Sequence, residues 1–141
     1  MATVQVRYIV NDVDAALAFY CEHLGFTEVM HPDPRFAMLS RGDLRLVLSA
    51  PGGQTVGGGS ALADGRTPEP GGWNRFAIEV ADLGETVARL RQTGAQFRGD
   101  IIQGVGGNQA LLEDPSGNPI ELFQPIRPEA RLTPPAREET R

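Results

Sequence analysis

The sequence predicts an α+β fold built from two copies of a strand–helix–three-strand module. Three observations carry that prediction. Val4-Gln5-Val6-Arg7-Tyr8-Ile9-Val10 and Arg75-Phe76-Ala77-Ile78-Glu79-Val80 each alternate polar and apolar residues like half-buried strands. Each ends in Val-x-Asp, at Val10 to Asp12 and at Val80 to Asp82, and runs into a helical stretch stopped by a glycine. The two aspartates lie about half the chain apart, as expected of a tandem duplication.

In the first module, Asp12 or Asp14 can N-cap a helix through Ala15-Ala16-Leu17-Ala18-Phe19-Tyr20, and Gly25 supplies its left-handed stop. Strand-like runs follow at Phe26–Met30, Phe36–Ser40 and Leu44–Ser49, with Arg41-Gly42-Asp43 as a tight turn. In the second module a helix from Leu83 to about Thr93 is closed by Gly94. The runs Phe97–Ile102, Gln109–Glu113 and Pro119–Phe123 complete it, the last two joined by the turn Asp114-Pro115-Ser116-Gly117-Asn118. A lone βαβββ unit leaves one sheet face uncovered, so two should pair into a curved mixed sheet of about eight strands, with helices outside and a cup within. The expected organisation is a single domain over residues 1–126: module one at 3–50, a Gly/Pro-rich linker at 51–72 and module two at 73–126. Loops of that length are either lids or plain linkers. Residues 127–141, rich in Pro and charge, read as a disordered tail.

Composition narrows the chemistry. A net charge of -5 offers no footprint for nucleic acid or anionic lipid. No apolar run approaches the roughly 20 residues of a membrane span, and the lone Cys21 has no internal disulfide partner, so a cytoplasmic protein is expected. All 13 basic residues are Arg, which excludes a Lys Schiff base. The two histidines, His23 and His31, supply histidine-rich metal sites and nucleophile–His pairs poorly. His23 suits a helix C-terminus, His31 a loop, and Cys21 a small buried hydrophobe. Gly104 to Gly107 reads as a hairpin loop, since it lacks the strand-to-helix setting of a phosphate loop.

Arg7-Tyr8-Ile9-Val10-Asn11-Asp12-Val13 with Ala18-Phe19-Tyr20 and Leu24-Gly25-Phe26 resembles the opening of vicinal oxygen chelate proteins, the glyoxalase/bleomycin-resistance superfamily. Leu112-Glu113-Asp114-Pro115-Ser116-Gly117-Asn118-Pro119-Ile120-Glu121-Leu122-Phe123 resembles their closing strand–turn–strand and is the more specific motif. The resemblance covers roughly residues 4–125 and implies paired βαβββ modules, often a homodimer, with a small-molecule site in the cup. It also implies four positions that ligate metal in metal-dependent members, which fall here on Gln5, Val47, Arg75 and Glu121. Val47 has no donor atom and Arg75 is a permanent cation, so no metal or other cofactor is expected.

Strand alternation predicts which side chains face the cup. Gln5, Arg7 and Ile9 lie opposite Val6, Tyr8 and Val10; Arg45, Val47 and Ser49 lie opposite Leu44, Leu46 and Leu48. Arg75, Ala77 and Glu79 form one face in module two, as do Glu121 and Phe123. Trp73 and Asn74, just before the second module's first strand, suit a rim, an interface or a ligand-stacking role. Arg75 and Glu121 read either as a salt bridge standing where a metal would, or as a catalytic pair, with Glu121 as base and Arg75 as oxyanion partner. The expectation ranked first is a metal-free protein binding a small organic molecule, with Gln5, Arg7, Arg45, Val47, Trp73, Asn74, Glu79 and Phe123 as ligand contacts. A metal-independent isomerase, cyclase or lyase ranks second, and a metal-dependent lyase, epimerase or dioxygenase third.

Overall fold

The computed structural model describes residues 4–52 and 58–132; residues 53–57 of the predicted linker and 133–141 of the predicted tail lie outside the described residues. The chain folds as two compact units. One comprises Met1–Asn74 together with Glu113–Pro119, and the other Arg75–Leu112 with Ile120–Arg141.

In the first unit, β1 (Val4–Ile9), α1 (Val13–His23), β2 (Thr27–Asp33), β3 (Phe36–Arg41) and β4 (Leu44–Ser49) follow the predicted order. The sheet order is β1-β4-β3-β2, with β1 parallel to β4 and the other pairs antiparallel. Asp12, rather than Asp14, caps α1, its carboxylate accepting from Ala15 N at 3.0 Å. Gly25, at φ 72°, ends it in the left-handed region where a Cβ would be strained. The strand β2 lies at the sheet edge, the place that tolerates Pro32, which has no N–H to donate; its register shifts twice. The helix buries Val13, Ala16, Phe19 and Tyr20, and Tyr20 meets Phe26 edge-on at 5.4 Å.

The Asp114–Asn118 turn is a polar hub in this unit. Asp114, 4% exposed, accepts from Tyr20 Oη at 2.8 Å, Ser116 N at 2.9 Å, Asn118 N at 2.9 Å and Asn118 Nδ2 at 3.0 Å. Asn118 in turn donates to the Ile9 carbonyl (2.8 Å) and accepts from Gly71 N (2.7 Å). A buried carboxylate is tolerable only with its lone pairs filled, and here they are. The most specific motif in the sequence is therefore an architectural device.

In the second unit the elements are β5 (Ala77–Glu79), α2 (Leu83–Gln92), β6 (Gln96–Phe97), β7 (Ile102–Gln103), β8 (Gly107–Glu113) and β9 (Pro119–Pro125). The sheet order is β5-β9-β8-β6, with β7 also paired to β8 and β5 parallel to β9. The sheets hold four and five strands, one more than the eight expected. The surplus arises because the predicted Phe97–Ile102 strand is broken. Gly99 sits at φ 85°, and Arg91 holds this bend by donating to the Gly99 carbonyl at 3.2 Å and lying over the Phe97 ring at 5.3 Å. Asp82 caps α2 by accepting from Glu85 N, and Gln124 on β9 accepts from Leu83 N at 2.7 Å, so two free N–H groups of the first turn are satisfied. The helix buries Leu83, Val87 and Leu90, one stripe at helical spacing. Gly104 to Gly107 is the tight turn between β7 and β8, closed by Gly104 N donating to the Gly107 carbonyl. Residues 128–130 of the predicted tail form one turn of 3-10 helix.

Candidate functional site

On the second unit's sheet, β9 runs parallel to β5 with Glu121 opposite Ala77 and Phe123 opposite Glu79. Because side chains alternate with period two, this register puts the residues predicted for one face on one face. Arg75, just before β5, donates to Glu121 Oε1 from Nη2 at 2.9 Å and from Nε at 3.1 Å. The two side chains keep 25% and 19% of their exposure, so the pair is partly withdrawn from water but reachable. The Gln109 side chain on β8 faces Glu121; two carboxylate oxygens there require its amide nitrogen, not its oxygen, and in that orientation it donates to Glu121 Oε1 at 3.1 Å and Oε2 at 3.2 Å. Sequence reading assigned Gln109 no role. The available signal was a polar residue in the strand Gly107–Glu113, but only the pairing of β8 with β9 shows which carboxylate it meets.

The same face continues to Glu79 and Phe123. Phe123 lies over Gly107, where an added Cβ would come within 2.9 Å of its ring. Glu79 Oε1 accepts from Leu132 N at 2.8 Å, so the segment after β9 returns to this face. A cleft of about 230 Å³ lies at the C-terminal ends of β5 and β9, lined by Glu79, Val80, Gln124, Ile126, Arg127 and Arg131 among others.

In the first unit the register places Gln5 beside Arg45 and Arg7 beside Val47, with Ser40 and Met38 next across β3. The predicted face is therefore assembled, but its members differ in access. Val47 is fully buried, whereas Gln5 and Arg7 are exposed and Arg45 is half-buried. The guanidinium of Arg7 rests against Gly58, whose missing Cβ would approach it within 2.7 Å. Trp73 is 67% exposed and Asn74 is also exposed. Gln5, Arg7, Arg45, Val47, Trp73 and Asn74 thus belong to the first unit, and Arg75, Glu79, Glu121 and Phe123 to the second.

The remaining reactive side chains are engaged otherwise. His31 Nε2 lies 3.4 Å from Asp14 Oδ1, and His23 stacks edge-on against Phe19 at 5.5 Å. Burial, then the charges of Glu28 and Glu22, push the Cys21 thiol up, which disfavours the reactive thiolate. Burial, followed by the Asp114 charge and the hydrogen bond to it, pushes the Tyr20 hydroxyl well above its ordinary value.

A family model described as Glyoxalase/Bleomycin resistance protein/Dioxygenase superfamily matches residues 3–122. The chain belongs to this superfamily. Among its curated relatives, a bleomycin resistance protein from Geobacillus stearothermophilus is 28% identical over 123 residues, covering 84% of this chain and 92% of that one. Among solved structures, a superfamily member from Sphaerobacter thermophilus has a TM-score of 0.67 at 26% identity, covering 88% of this chain and 98% of that one. The antibiotic binding protein TnmS3 from a Streptomyces species has a TM-score of 0.62 at 26% identity, covering 89% and 98%. The α+β class read from the sequence is thus the superfamily's fold. Of the four positions that the superfamily resemblance marks for ligation, Val47 is hydrocarbon and buried, and Arg75 is a cation bonded to Glu121. Among the described residues, no three His, Cys, Asp or Glu side chains gather as a metal site would require.

Proposed function

We propose that this chain binds a small organic molecule of the kind antibiotic-binding relatives take, as a cytoplasmic homodimer and without a metal ion. The observation that carries this reading is the engagement of Glu121 by Arg75 and Gln109. A metal would have to displace a guanidinium from its carboxylate and would meet the repulsion of that fixed cation. The donor set therefore does not fit a metal. A carboxylate with a guanidinium at one oxygen and an amide across both is instead a preorganised polar floor. Ligand groups can replace water there without changing any protonation state.

One observation supports a second reading, catalysis with Glu121 as base. Arg75 Nε and Nη2 both donate to Oε1, while Gln109 is the amide that meets Oε2, at 3.2 Å, and the register partner on β5 is the small Ala77. In that reading Arg75 stabilises the oxyanion of an isomerase, cyclase or lyase.

Titration calorimetry with bleomycin and a panel of other antibiotics, combined with mass-spectrometric product analysis, tests both. Saturable binding with the compound recovered unchanged is expected. Conversion that disappears in Glu121→Gln would move the assignment to the second reading, and no binding across the panel would refute the first. Elemental analysis after chelator-free purification should find no stoichiometric metal. About one Zn, Ni, Mn or Fe per chain, lost in Glu121→Gln, would overturn that part.

A further inference from the structure

Five arginines among the described residues donate to oxygens of the chain. Arg35 donates to the Pro51 and Gly52 carbonyls, Arg41 to Leu24, Arg66 to Asp64, Arg75 to Glu121 and Arg91 to Gly99. Arg45 on β4 is different. It is half-buried, and its Nε is withdrawn from solvent with no hydrogen-bond partner among the described residues. A buried N–H left unpaired costs stability, and a guanidinium cannot escape the cost by losing its proton.

The neighbours on its face make the omission more pointed. The register partners of Arg45 are Gln5 and Ser40; those one rung toward the C-terminal end of β4 are Arg7, Val47 and Met38, none of them acidic. Asp43, two residues back, makes no ion pair with Arg45 among the described residues. Arg7 and Arg45 are diagonal neighbours of like charge, an arrangement that weakens a sheet unless an anion lies between them. The Arg7 guanidinium lies against Gly58, where an added Cβ would come within 2.7 Å of it.

We infer that Arg45, with Arg7 beside it, is an anion-binding subsite and that this protein's ligand carries a carboxylate. The inference rests on the small-molecule reading above and names the ligand class. The side-on edge of a guanidinium presents Nε–H and one Nη–H in parallel, the spacing that a carboxylate accepts with both oxygens. The unpartnered atom in Arg45 is the Nε of that edge. Ser40 and Gln5 flank it with a hydroxyl and an amide that can serve the remaining lone pairs.

Benzoate, with benzamide as its uncharged match, is the probe, titrated by ligand-observed NMR against wild type, Arg45→Met, Arg7→Gln and the control Arg66→Gln. Benzoate should bind wild type and the control roughly tenfold or more tighter than benzamide, and Arg45→Met should lose that preference. Arg7→Gln should lose part of it. Thermal unfolding supplies an independent readout. Arg45→Met fills similar space without the orphaned donor, so the ligand-free variant should melt no lower than wild type. Equal affinity for benzoate and benzamide, or an unchanged preference in Arg45→Met, overturns the assignment, as does a clear drop in its melting temperature. Sulfate competing as well as benzoate would overturn the carboxylate in favour of any oxyanion. If the antibiotic panel still binds in those cases, the carboxylate assignment falls and the small-molecule reading stands; if nothing binds, both fall.

Discussion

Tyr20→Phe removes one oxygen from the middle of the first unit, and its consequences can be worked through pH. The Tyr20 side chain is fully buried and donates to Asp114 Oδ2 at 2.8 Å. A hydrogen bond to a charged acceptor contributes about 1.5–3 kcal/mol, and Asp114 keeps three other donors, so a loss of about 1–2 kcal/mol is expected at pH 7. For a chain of this size that is a fall in Tm of roughly 3–8 °C. The alkaline limb is more diagnostic. Burial and the Asp114 charge raise the Tyr20 hydroxyl above its ordinary value of 10.0, so the folded chain keeps a proton that the unfolded chain releases. The contribution is complete below pH 10 and shrinks by about 1.4 kcal/mol per unit above it, until the folded group titrates. The measurement is unusually clean because the chain has no Lys, two Tyr and one Cys, and a Cys21→Ser background removes the thiol. Urea unfolding followed by circular dichroism from pH 7 to 11.5 should show the wild-type curve converging on that of Tyr20→Phe above pH 10. Parallel curves would refute the reasoning, because the buried hydroxyl would then not be the group that links stability to pH.

At the candidate site, Glu121→Gln should leave ligand affinity within a few fold if the chain only binds. If Glu121 is a base, turnover should fall roughly 10²–10⁴-fold, as seen in single-turnover assays. Arg75→Ala should cost about 1–2 kcal/mol in chemical unfolding and weaken ligand binding, because it removes the guanidinium that pairs with the Glu121 carboxylate; an unchanged midpoint would show the ion pair to be fully screened. Gly107→Ala should lower Tm by several degrees, since the new methyl meets the Gln124 carbonyl oxygen and the Phe123 ring. Light scattering should give about twice the 15.2 kDa chain mass, with exposed Val4, Trp73 and Ile126 as candidates for cover; a clean monomer at micromolar concentration would contradict the dimer.

Elements whose stabilising contacts lie within a few residues were legible from the sequence alone. Asp12 and Asp82 cap their helices by bonding three residues ahead, and Gly25, Gly42, Gly94 and Gly117 occupy turns where φ is positive. The duplicated strand–helix pattern and the Asp114–Asn118 turn were legible because turn and cap chemistry is short-range and residue-specific, and the superfamily was marked by the resemblance of the motifs that carry them. Alternation also placed Arg75 and Glu121 on one face, and they meet.

Tertiary structure decided what depended on strand order and long-range register. Nothing local to Asp114 points to Tyr20, 94 residues away, and nothing local to Gln109 points to Glu121 on the neighbouring strand. Val47 obeys the alternation yet is buried, because a period-two pattern assigns a face and not the depth of what covers it. The break between β6 and β7 depends on Arg91 reaching from α2 to Gly99, a contact no strand propensity contains. Arg45 makes the same point: its charge and face were visible in the chain, but its orphaned Nε exists only once β1 and β3 flank β4, since solvation is a property of the packed neighbourhood and not of the residue.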